Sequence, residues 1–273
     1  MWASLNAFLK RRAPAQHRTL KKIVRPWMDG QFNIPAPKKI GNRLCWVHPR
    51  VLTAESTEPH VLAWIQKCLS PGQVFFDVGA HYGWMSLIAA QRVGHTGRVI
   101  AFEPVSVLVD ILRYHKRINR LKQIEIVVNA VCDVDCQSVP FHLMNNGLSS
   151  GNSLVAHESE APTTEIRVGA ITLDAYCLRD NVWPDVLKID VEGGELLVLK
   201  GAAEVLSRKK PRLIVALHPP WLAGGQTAAE FFDFLTSRGY RVQNSQLSVF
   251  EGEEFGDYLF SCEPAGECSG TSL

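Results

Sequence analysis

The residues best placed for chemistry are an acid and two glycines in one short run, and a second acid further along. Asp77, Gly79 and Gly83 belong to the run VFFDVGAHYGW, which covers residues 74–84. Glycine adopts positive φ without strain and lets a ligand approach the backbone closely. Glu103 follows Gly83 by 20 residues, and a carboxylate at that spacing can accept both hydroxyl protons of a ribose. This pairing predicts a site for an adenosine-type cofactor.

The elements that must position these residues are a strand, a tight turn, a helix and a second strand. Residues 74–78 are almost wholly apolar, which is typical of a parallel strand covered on both faces. From Trp84 the apolar residues recur at helical spacing, so a helix begins there with its N–H groups near the turn. Residues 98–102 predict the second strand, with Glu103 at its tip. We therefore expect an α/β sheet with the site beyond the carboxyl ends of its strands.

The position of Asp77 favours one cofactor over another. A nicotinamide-binding turn usually reads G-x-G-x-x-G, so that the pyrophosphate lies on the helix end. Here the run reads D-x-G-x-x-x-G, and a carboxylate at the strand end would repel a pyrophosphate but attract an ammonium or sulfonium group. S-adenosylmethionine carries both cations and no phosphate. It is therefore the predicted cofactor in preference to NAD.

The composition indicates a globular protein. The 273 residues are 46% hydrophobic and 21% charged, as in typical globular domains. No apolar run reaches the roughly 18 residues that cross a bilayer, and the first apolar residues precede the positive charges, unlike those of a signal peptide. The seven cysteines contain no C-x-x-C pair, which favours reduced thiols over disulfides or a zinc site. We therefore expect a cytoplasmic protein.

The charge is small overall but unevenly distributed. The net charge is +2, and residues 1–25 hold seven of the basic residues and no acid. The remainder carries 22 basic and 27 acidic residues, so no nucleic-acid partner is expected for it. The basic segment suits either peripheral contact with an acidic membrane or a loosely packed extension, and the extension is the favoured interpretation.

The alternation of strands and helices predicts how the chain is organised. Residues 1–56 are interpreted as a basic extension with an irregular or hairpin cover, 57–263 as the domain that binds the cofactor, and 264–273 as a flexible tail. The third, fourth and fifth strands are predicted at 124–131, 185–191 and 212–218, and the last strand, at 258–262, is predicted as an antiparallel edge. Residues 138–171 interrupt the alternation. They predict an inserted hairpin whose polar loop either closes as a lid or stays in solvent.

Polar residues stand at the carboxyl ends of the predicted strands: Asp77, Glu103, Asp133, Asp190 and His218. Because ligands bind at such ends in open α/β sheets, we expect these side chains at one site, with Asp133 meeting the adenine amino group. Methyl transfer to a hydroxyl requires the acceptor oxygen, methyl carbon and sulfur to align, and it gains from a group that takes the hydroxyl proton. The ordinary pKa of histidine suits His218 for that task, while Asp190 would orient the hydroxyl.

Two residues near Asp190 leave alternatives open. Glu192 alternates with Asp190, so the two side chains point to opposite faces of a strand unless the strand has already ended. Glu195 is explained equally well as a first-turn acid that the helix dipole favours. Three acids and a histidine can also hold a divalent cation, but their spacing is not a metal signature, and no metal is predicted.

Three motifs together resemble the FkbM family of S-adenosylmethionine-dependent methyltransferases. They are FDVGAHYG at residues 76–83, AFEP at 101–104, and LKIDVEGGE at 187–195 followed by KGA at 200–202. The similarity covers residues 72–243. It implies a Rossmann-like class I methyltransferase fold, in which a mostly parallel seven-stranded sheet has helices on both faces. It also implies O-methylation of hydroxyls on sugars, polyketides or related metabolites.

The resemblance also implies roles for individual residues. It puts Asp190 and Glu192 near the acceptor, so that these two and His218 are the candidate catalytic residues. It puts the following residues at the cofactor: Asp77, Gly79, Ala80, His81, Gly83 and Glu103. His81 and His115 stand where the family usually has Asn, and Ala216 stands where it often has Glu. A side-chain contact at His81 therefore does not carry over, and the missing acid at 216 argues against a metal.

Three functions follow from these patterns. The favoured function is O-methylation of a small-molecule or glycan hydroxyl. The second is a non-catalytic S-adenosylmethionine-binding partner subunit, in which His81 and Ala216 mark lost activity. The third, ranked lowest, is an RNA methyltransferase anchored by the basic N-terminal segment. No oligomeric state is predicted.

Overall fold

The computed structural model describes residues 34–52, 54, 58–144, 147–149, 151–156, 163–250 and 253–262. The predicted basic segment and the predicted C-terminal tail lie outside these residues, and so does the predicted membrane contact. Contacts divide the chain into two units between residues 56 and 57. Among the described residues, no helix combines the length and the hydropathy that a bilayer span requires.

The first unit contains a β-hairpin. Strand β1 (Ala36–Ile40) pairs antiparallel with strand β2 (Arg43–Val47). The ammonium group of Lys38 donates to the carbonyl oxygens of Leu52 and Ala54 at 2.9 and 2.6 Å. These bonds tie the chain that follows β2 back to β1.

The second unit is an α/β domain. In chain order its strands are β3 (Val74–Val78), β4 (Arg98–Phe102), β5 (Ile124–Val127), β6 (Ala130–Val131), β7 (Cys136–Met144), β8 (Thr163–Ile171), β9 (Val186–Ile189), β10 (Arg212–Leu217), β11 (Arg241–Phe250) and β12 (Glu253–Ser261). Its helices are α1 (Pro59–Cys68), α2 (Trp84–Val93), α3 (Ser106–Ile118), α4 (Leu173–Asp180), α5 (Glu195–Lys200), α6 (Ala203–Arg208) and α7 (Ala228–Thr236).

The central sheet has seven strands in the order β11-β12-β10-β9-β3-β4-β5. The strands from β10 to β5 in that order are parallel, while β12 pairs antiparallel with both β10 and β11. Because crossovers between parallel strands are right-handed, α2 and α3 cover one face, and the helices on either side of β9 cover the other. The predicted Rossmann-like class I methyltransferase fold is confirmed. The carboxyl ends of β3, β4, β9 and β10 meet along one edge.

The apolar runs of the sequence form the centre of this sheet. All four residues of β9 are buried, and Phe76 of β3 packs edge-to-face on Phe102 and Tyr176 with ring centroids 5.5 and 5.7 Å apart. Burial of each such ring contributes about 2 kcal/mol. The hydroxyl of Tyr176 donates to Glu125 at 2.8 Å, so the polar end of the ring is also satisfied. This packing fixes the strand ends that carry the polar residues.

The inserted hairpin is confirmed, but two other predictions about strands are wrong. Strands β7 and β8 pair antiparallel and form a separate three-stranded sheet with β6. The predicted third strand, 124–131, is therefore divided, because β5 ends at Val127 and β6 belongs to the small sheet. Asp133 follows β6 and is exposed, so it does not stand at the carboxyl end of a central strand. The last strand is not an edge either, since β12 lies between β10 and β11.

Candidate active site

The turn after β3 is held against the tip of β4 by backbone hydrogen bonds. The N–H groups of Gly79 and Ala80 donate to the carbonyl oxygen of Phe102 at 3.2 and 3.0 Å. The N–H group of His81 donates to the carboxylate of Glu103 at 2.8 Å. Gly79 and His81 have φ values of +74° and +51°, and these left-handed conformations reverse the chain. The expected closeness of this turn, residues 79–83, to Glu103 is present.

Glu103 is buried beneath the turn. Its second oxygen accepts the N–H group of Val105 at 2.9 Å. Burial raises the pKa of Glu103 to about 7, and the N–H groups of Val105 and His81 oppose that rise. A carboxylate has about four acceptor positions, so Glu103 retains the capacity to accept two ribose hydroxyls.

Asp77 is fully buried and faces protein groups. One of its oxygens accepts the hydroxyl proton of Ser86, and the other lies 3.5 Å from the ammonium nitrogen of Lys188. Lys188 also lies 3.2 Å from a carboxylate oxygen of Asp190 and donates to the carbonyl oxygen of Gly79 at 2.9 Å. The cation that Asp77 attracts is therefore Lys188, whereas the sequence argument assigned that attraction to a ligand.

Lys188 connects the two halves of the site, which are the turn at residues 79–83, called the cofactor turn, and the segment that follows β9. Burial alone would lower the pKa of this lysine, but the carboxylates of Asp190 and Asp77 raise it well above its ordinary value. The same ion pair helps to hold the pKa of Asp190 below its ordinary value against the effect of burial. The buried ammonium group therefore stays charged and neutralises two acids from neighbouring strands.

Gly79 makes the second connection between the halves. A Cβ atom on Gly79 would lie 1.9 Å from the backbone oxygen of Asp190, and one on Gly83 would lie 2.1 Å from the side chain of Leu112. Real Cβ atoms do not approach backbone this closely. The backbone at Asp190 therefore makes the close approach to Gly79 that the sequence led us to expect of a ligand. We call residues 190–195 the acceptor segment.

The acceptor segment brings three polar side chains together. Strand β9 ends at Ile189, and Glu192 has a φ of +54°, so the alternation expected of a continuing strand does not apply. The Nε2 atom of His218 lies 3.4 Å from an oxygen of Glu192, and its Nδ1 atom lies 2.8 Å from an oxygen of Glu195. Glu195 is fully buried. It therefore orients the imidazole, a role beyond that of a helix-dipole acid.

The pKa values of His218 and Glu192 are both displaced. Burial alone would lower the pKa of His218, but the hydrogen bond to Glu195 and the charge of Glu192 raise it to about 10. Burial raises the pKa of Glu192 to about 8, which the charge of His218 opposes. These shifts favour the protonated form of His218 over the neutral imidazole base that the ordinary pKa of histidine led us to expect.

The same side chains have the spacing of a cation site. Asp190, Glu192 and His218 each offer one ligand atom, and these atoms lie within 4.8 Å of one another. Such a set can bind a divalent cation. The imidazolium of His218 already places a positive charge among these carboxylates, so the absence of a metal stays our prediction.

A segment of the inserted hairpin adjoins both halves. The hydroxyl of Tyr82 donates to the carbonyl oxygen of Leu148. The buried hydroxyl of Ser153 donates to the carbonyl oxygen of Glu192 at 2.6 Å. His81 packs against Tyr82 with ring centroids 3.7 Å apart, and burial lowers the pKa of His81 to about 4. The described residues of this loop thus contact both parts of the site, and closure of the loop as a lid stays a prediction.

Two aromatic rings stand beside His218. Trp221 stacks on the imidazole with centroids 5.5 Å apart and an interplanar angle of 7°. Phe255 meets the rings of His218 and Trp221 edge-on, at 5.7 and 5.1 Å. We call Trp221 and Phe255 the aromatic wall. It borders the acceptor segment on the side of β10 and β12.

The position of Ala216 also has an explanation in the sheet. Ala216 pairs across the ladder with Asp257 of β12, and directly opposed side chains in such a pair lie about 5 Å apart. Asp257 is hydrogen-bonded to Nε2 of His60 at 2.7 Å. The family resemblance predicts an acid at position 216, and Asp257 lies directly across the ladder from that position.

The structure brings together all the predicted site residues except Asp133: Asp77, Gly79, Ala80, His81, Gly83, Glu103, Asp190, Glu192 and His218 lie at one edge of the sheet. Sequence reasoning missed Lys188, and it underrated Glu195. A lysine inside an otherwise apolar strand was the available signal for Lys188, because a buried ammonium group requires anionic partners.

The comparison with known families gives one match. The family described as "Methyltransferase FkbM domain" matches residues 77–242, more than half of the chain. That range contains the cofactor turn, Glu103, the acceptor segment and His218. No curated protein is similar enough to this chain to count as a match.

Solved structures with a similar fold include several methyltransferases. A precorrin-6y C5,15-methyltransferase from Geobacter metallireducens is 15% identical and has a TM-score of 0.44, with 76% of this chain and 90% of that chain covered. A putative tRNA (m1A22) methyltransferase from Streptococcus pneumoniae is 15% identical and has a TM-score of 0.46, with 80% and 73% covered. A methyltransferase FkbM from Methylobacillus flagellatus is 15% identical and has a TM-score of 0.43, with 77% and 52% covered. Likenesses at these scores carry no argument about the acceptor.

Proposed function

This chain belongs to the FkbM methyltransferase family, and we propose that it methylates a hydroxyl oxygen of a sugar, glycan or secondary metabolite. S-adenosylmethionine is its methyl donor and supplies an electrophilic methyl group bound to sulfur. The observation that carries the proposal is the contact of Glu192 with His218 beside the cofactor turn, where a carboxylate oxygen lies 3.4 Å from Nε2 of the imidazole.

The residues at the turn fit the proposed donor. Glu103 has acceptor capacity left for two ribose hydroxyls, as described above. The Nε2 atom of His81 is buried and has no hydrogen-bond partner among the described groups, so a polar group of a ligand would satisfy it. We propose that Gly79, Ala80 and Gly83 shape the turn and that Asp77 acts indirectly, by holding Lys188.

Glu192 is the proposed base. Its pKa of about 8 lies close to neutral pH, where a general base is most effective. A carboxylate at this position would take the proton of the acceptor hydroxyl as the oxygen attacks, and the adjacent imidazolium would stabilise the carboxylate form. Glu195 keeps His218 in the required orientation, and Asp190, paired with Lys188, orients the acceptor. His218 thus supports the base and does not itself accept the proton.

The surroundings favour a ring-shaped acceptor with hydroxyl groups. The aromatic wall offers apolar faces on which the C–H face of a sugar or an apolar ring can pack. The carboxylates of Asp190 and Glu192 lie beside it and accept hydrogen bonds from hydroxyls. Acceptors that combine both properties are sugars, glycans and hydroxylated metabolites.

The test is a methyl-transfer assay with S-adenosylmethionine and a panel of sugars, glycans, hydroxylated metabolites and RNA. We expect mass-detected methylation of a hydroxylated small molecule or glycan, and we expect Glu192→Gln to abolish turnover while binding of S-adenosylhomocysteine persists. Binding without turnover on every acceptor would support the non-catalytic partner subunit. Turnover on RNA alone would overturn the proposed acceptor class.

A further inference from the structure

A basic groove lies at the opposite edge of the central sheet, where β4 and β5 begin and α3 ends. Its volume is about 990 Å³. Six cationic side chains line it: Arg98, Arg113, Lys116, Arg117, Arg120 and Lys122. A five-residue strand spans about 16 Å, and β4 lies between this groove and Glu103. The basic groove is therefore separate from the site of methyl transfer.

Most of the positive charge in this groove is not neutralised by acids among the residues that the structure describes. Arg98 pairs with Glu125 at 2.8 Å, and Arg113 pairs with Asp110 at 3.3 Å. The other four cations form no ion pair with an acid in the described part of the chain. Like charges that share one groove repel each other, and an anion with several charges would relieve that repulsion. Beyond residue 25 the chain has more acidic than basic residues, so its net charge does not reveal this local excess of positive charge.

Stabilisation of a helix end explains only part of this cluster. Lys116 and Arg117 lie in the last turn of α3, where cations interact favourably with the helix dipole. Arg98, Arg120 and Lys122 lie outside that helix. Arg120 has a φ of +56°, a conformation that commonly follows a helix and is usually given to glycine. An arginine there keeps backbone strain that a glycine would remove.

We propose that the basic groove binds a small ligand that carries two or more consecutive phosphate groups. Arginine presents donors in a fork that matches phosphate oxygens, and the volume suits a small ligand. Arg113, Lys116 and Arg117 lie on one side of α3 at spacings of three and one residues. A rise of 1.5 Å per residue spreads them over about 6 Å, the length of a short phosphate chain. A concave site favours such a ligand over a wide, flat membrane or a duplex.

The test uses inorganic tripolyphosphate and a matched pair of variants. Arg120→Gly removes one positive charge from the groove and relieves a positive φ. Lys210→Gly does the same at φ +48° but lies outside the residues that line the groove. In calorimetric titrations of the full chain we expect Arg120→Gly to weaken tripolyphosphate binding at least fivefold, and Lys210→Gly to leave it unchanged. We expect neither variant to lower the Tm. A loss of binding in Arg120→Gly would then not reflect a folding defect.

Equal effects of the two variants would mean that only net charge matters, and no binding by the wild-type protein would end the proposal outright. Two further probes test the ligand class, a single-stranded oligoribonucleotide and vesicles containing anionic phospholipid. Binding of either that is tighter than that of tripolyphosphate and sensitive to Arg120→Gly would overturn the small-ligand assignment. S-adenosylhomocysteine binding should be the same in all variants. A lack of tripolyphosphate binding would therefore not count against the proposed methyl transfer.

Discussion

The cofactor turn and the acceptor segment occupy one edge of the sheet but are built in different ways. The turn is fixed by hydrogen bonds that the backbone N–H groups of Gly79, Ala80 and His81 donate to the tip of the adjacent strand. The acceptor segment depends on pairs between ionisable side chains, because Glu195 and Glu192 hold His218 from the next strand. The turn therefore rests on backbone geometry, whereas the acceptor segment rests on electrostatic contacts between side chains.

Lys188 contacts both the cofactor turn and the acceptor segment, so its replacement should affect both. Replacement by methionine would leave the carboxylates of Asp77 and Asp190 without their shared cation. Removing one partner of a buried ion pair costs about 4 kcal/mol, so we expect Lys188→Met to lose that much unfolding free energy in urea. Lys200→Met, at an exposed lysine, is the control and should stay close to wild type. Wild-type stability in Lys188→Met would show that the two halves are not joined through this residue.

Gly79 joins the halves through the backbone. In Gly79→Ala the new Cβ would meet the Asp190 carbonyl oxygen and would require a positive φ, and we expect a loss of about 3 kcal/mol. Gly224→Ala has a left-handed conformation, with φ +62° and ψ +26°, but nothing within 4 Å, so it isolates the conformational cost of about 1 kcal/mol. Urea unfolding of both variants measures the difference. Equal losses would contradict the close contact.

The electrostatic half can be tested without an acceptor. Glu195→Gln keeps a hydrogen-bond acceptor for Nδ1 of His218 but removes a negative charge. We expect the pKa of His218, followed by NMR, to fall from about 10 by at least one unit, which corresponds to about 1.4 kcal/mol. Glu204→Gln, at an exposed acid, should leave it unchanged. A wild-type His218 that titrates near the ordinary histidine pKa would refute the imidazolium assignment.

The pH dependence of turnover follows from the same two groups. Glu192 must lose its proton to act as a base, so kcat/KM should rise about tenfold per unit as the pH approaches about 8. His218 must keep its proton, so the rate should fall as the pH passes about 10. Measurement of kcat/KM against pH, with S-adenosylmethionine at a saturating concentration, gives both the rise and the fall. A single rise near pH 6.5 would instead indicate His218 as the base.

The sequence predicted the part of the site built by the backbone better than the part built by side-chain pairs. The strand, the glycine turn and Glu103 were predictable because each is marked by a residue pattern that can be read along the chain. Lys188 was missed because its partners become apparent only when β9 is placed beside β3. The pKa of His218 was misjudged because no sequence pattern shows that the buried carboxylate of Glu195 meets its ring, and Asp133 was misplaced because no residue pattern marked the break after Val127.

The most direct test of this account compares S-adenosylhomocysteine binding in two variants by calorimetry. Glu103→Ala removes the carboxylate proposed for the ribose, and Glu192→Gln removes the proposed base. We predict that Glu103→Ala weakens binding at least tenfold, about 1.4 kcal/mol, and that Glu192→Gln binds within about twofold of wild type. Equal weakening in both variants, or greater weakening in Glu192→Gln, would contradict a site with separate donor and acceptor halves.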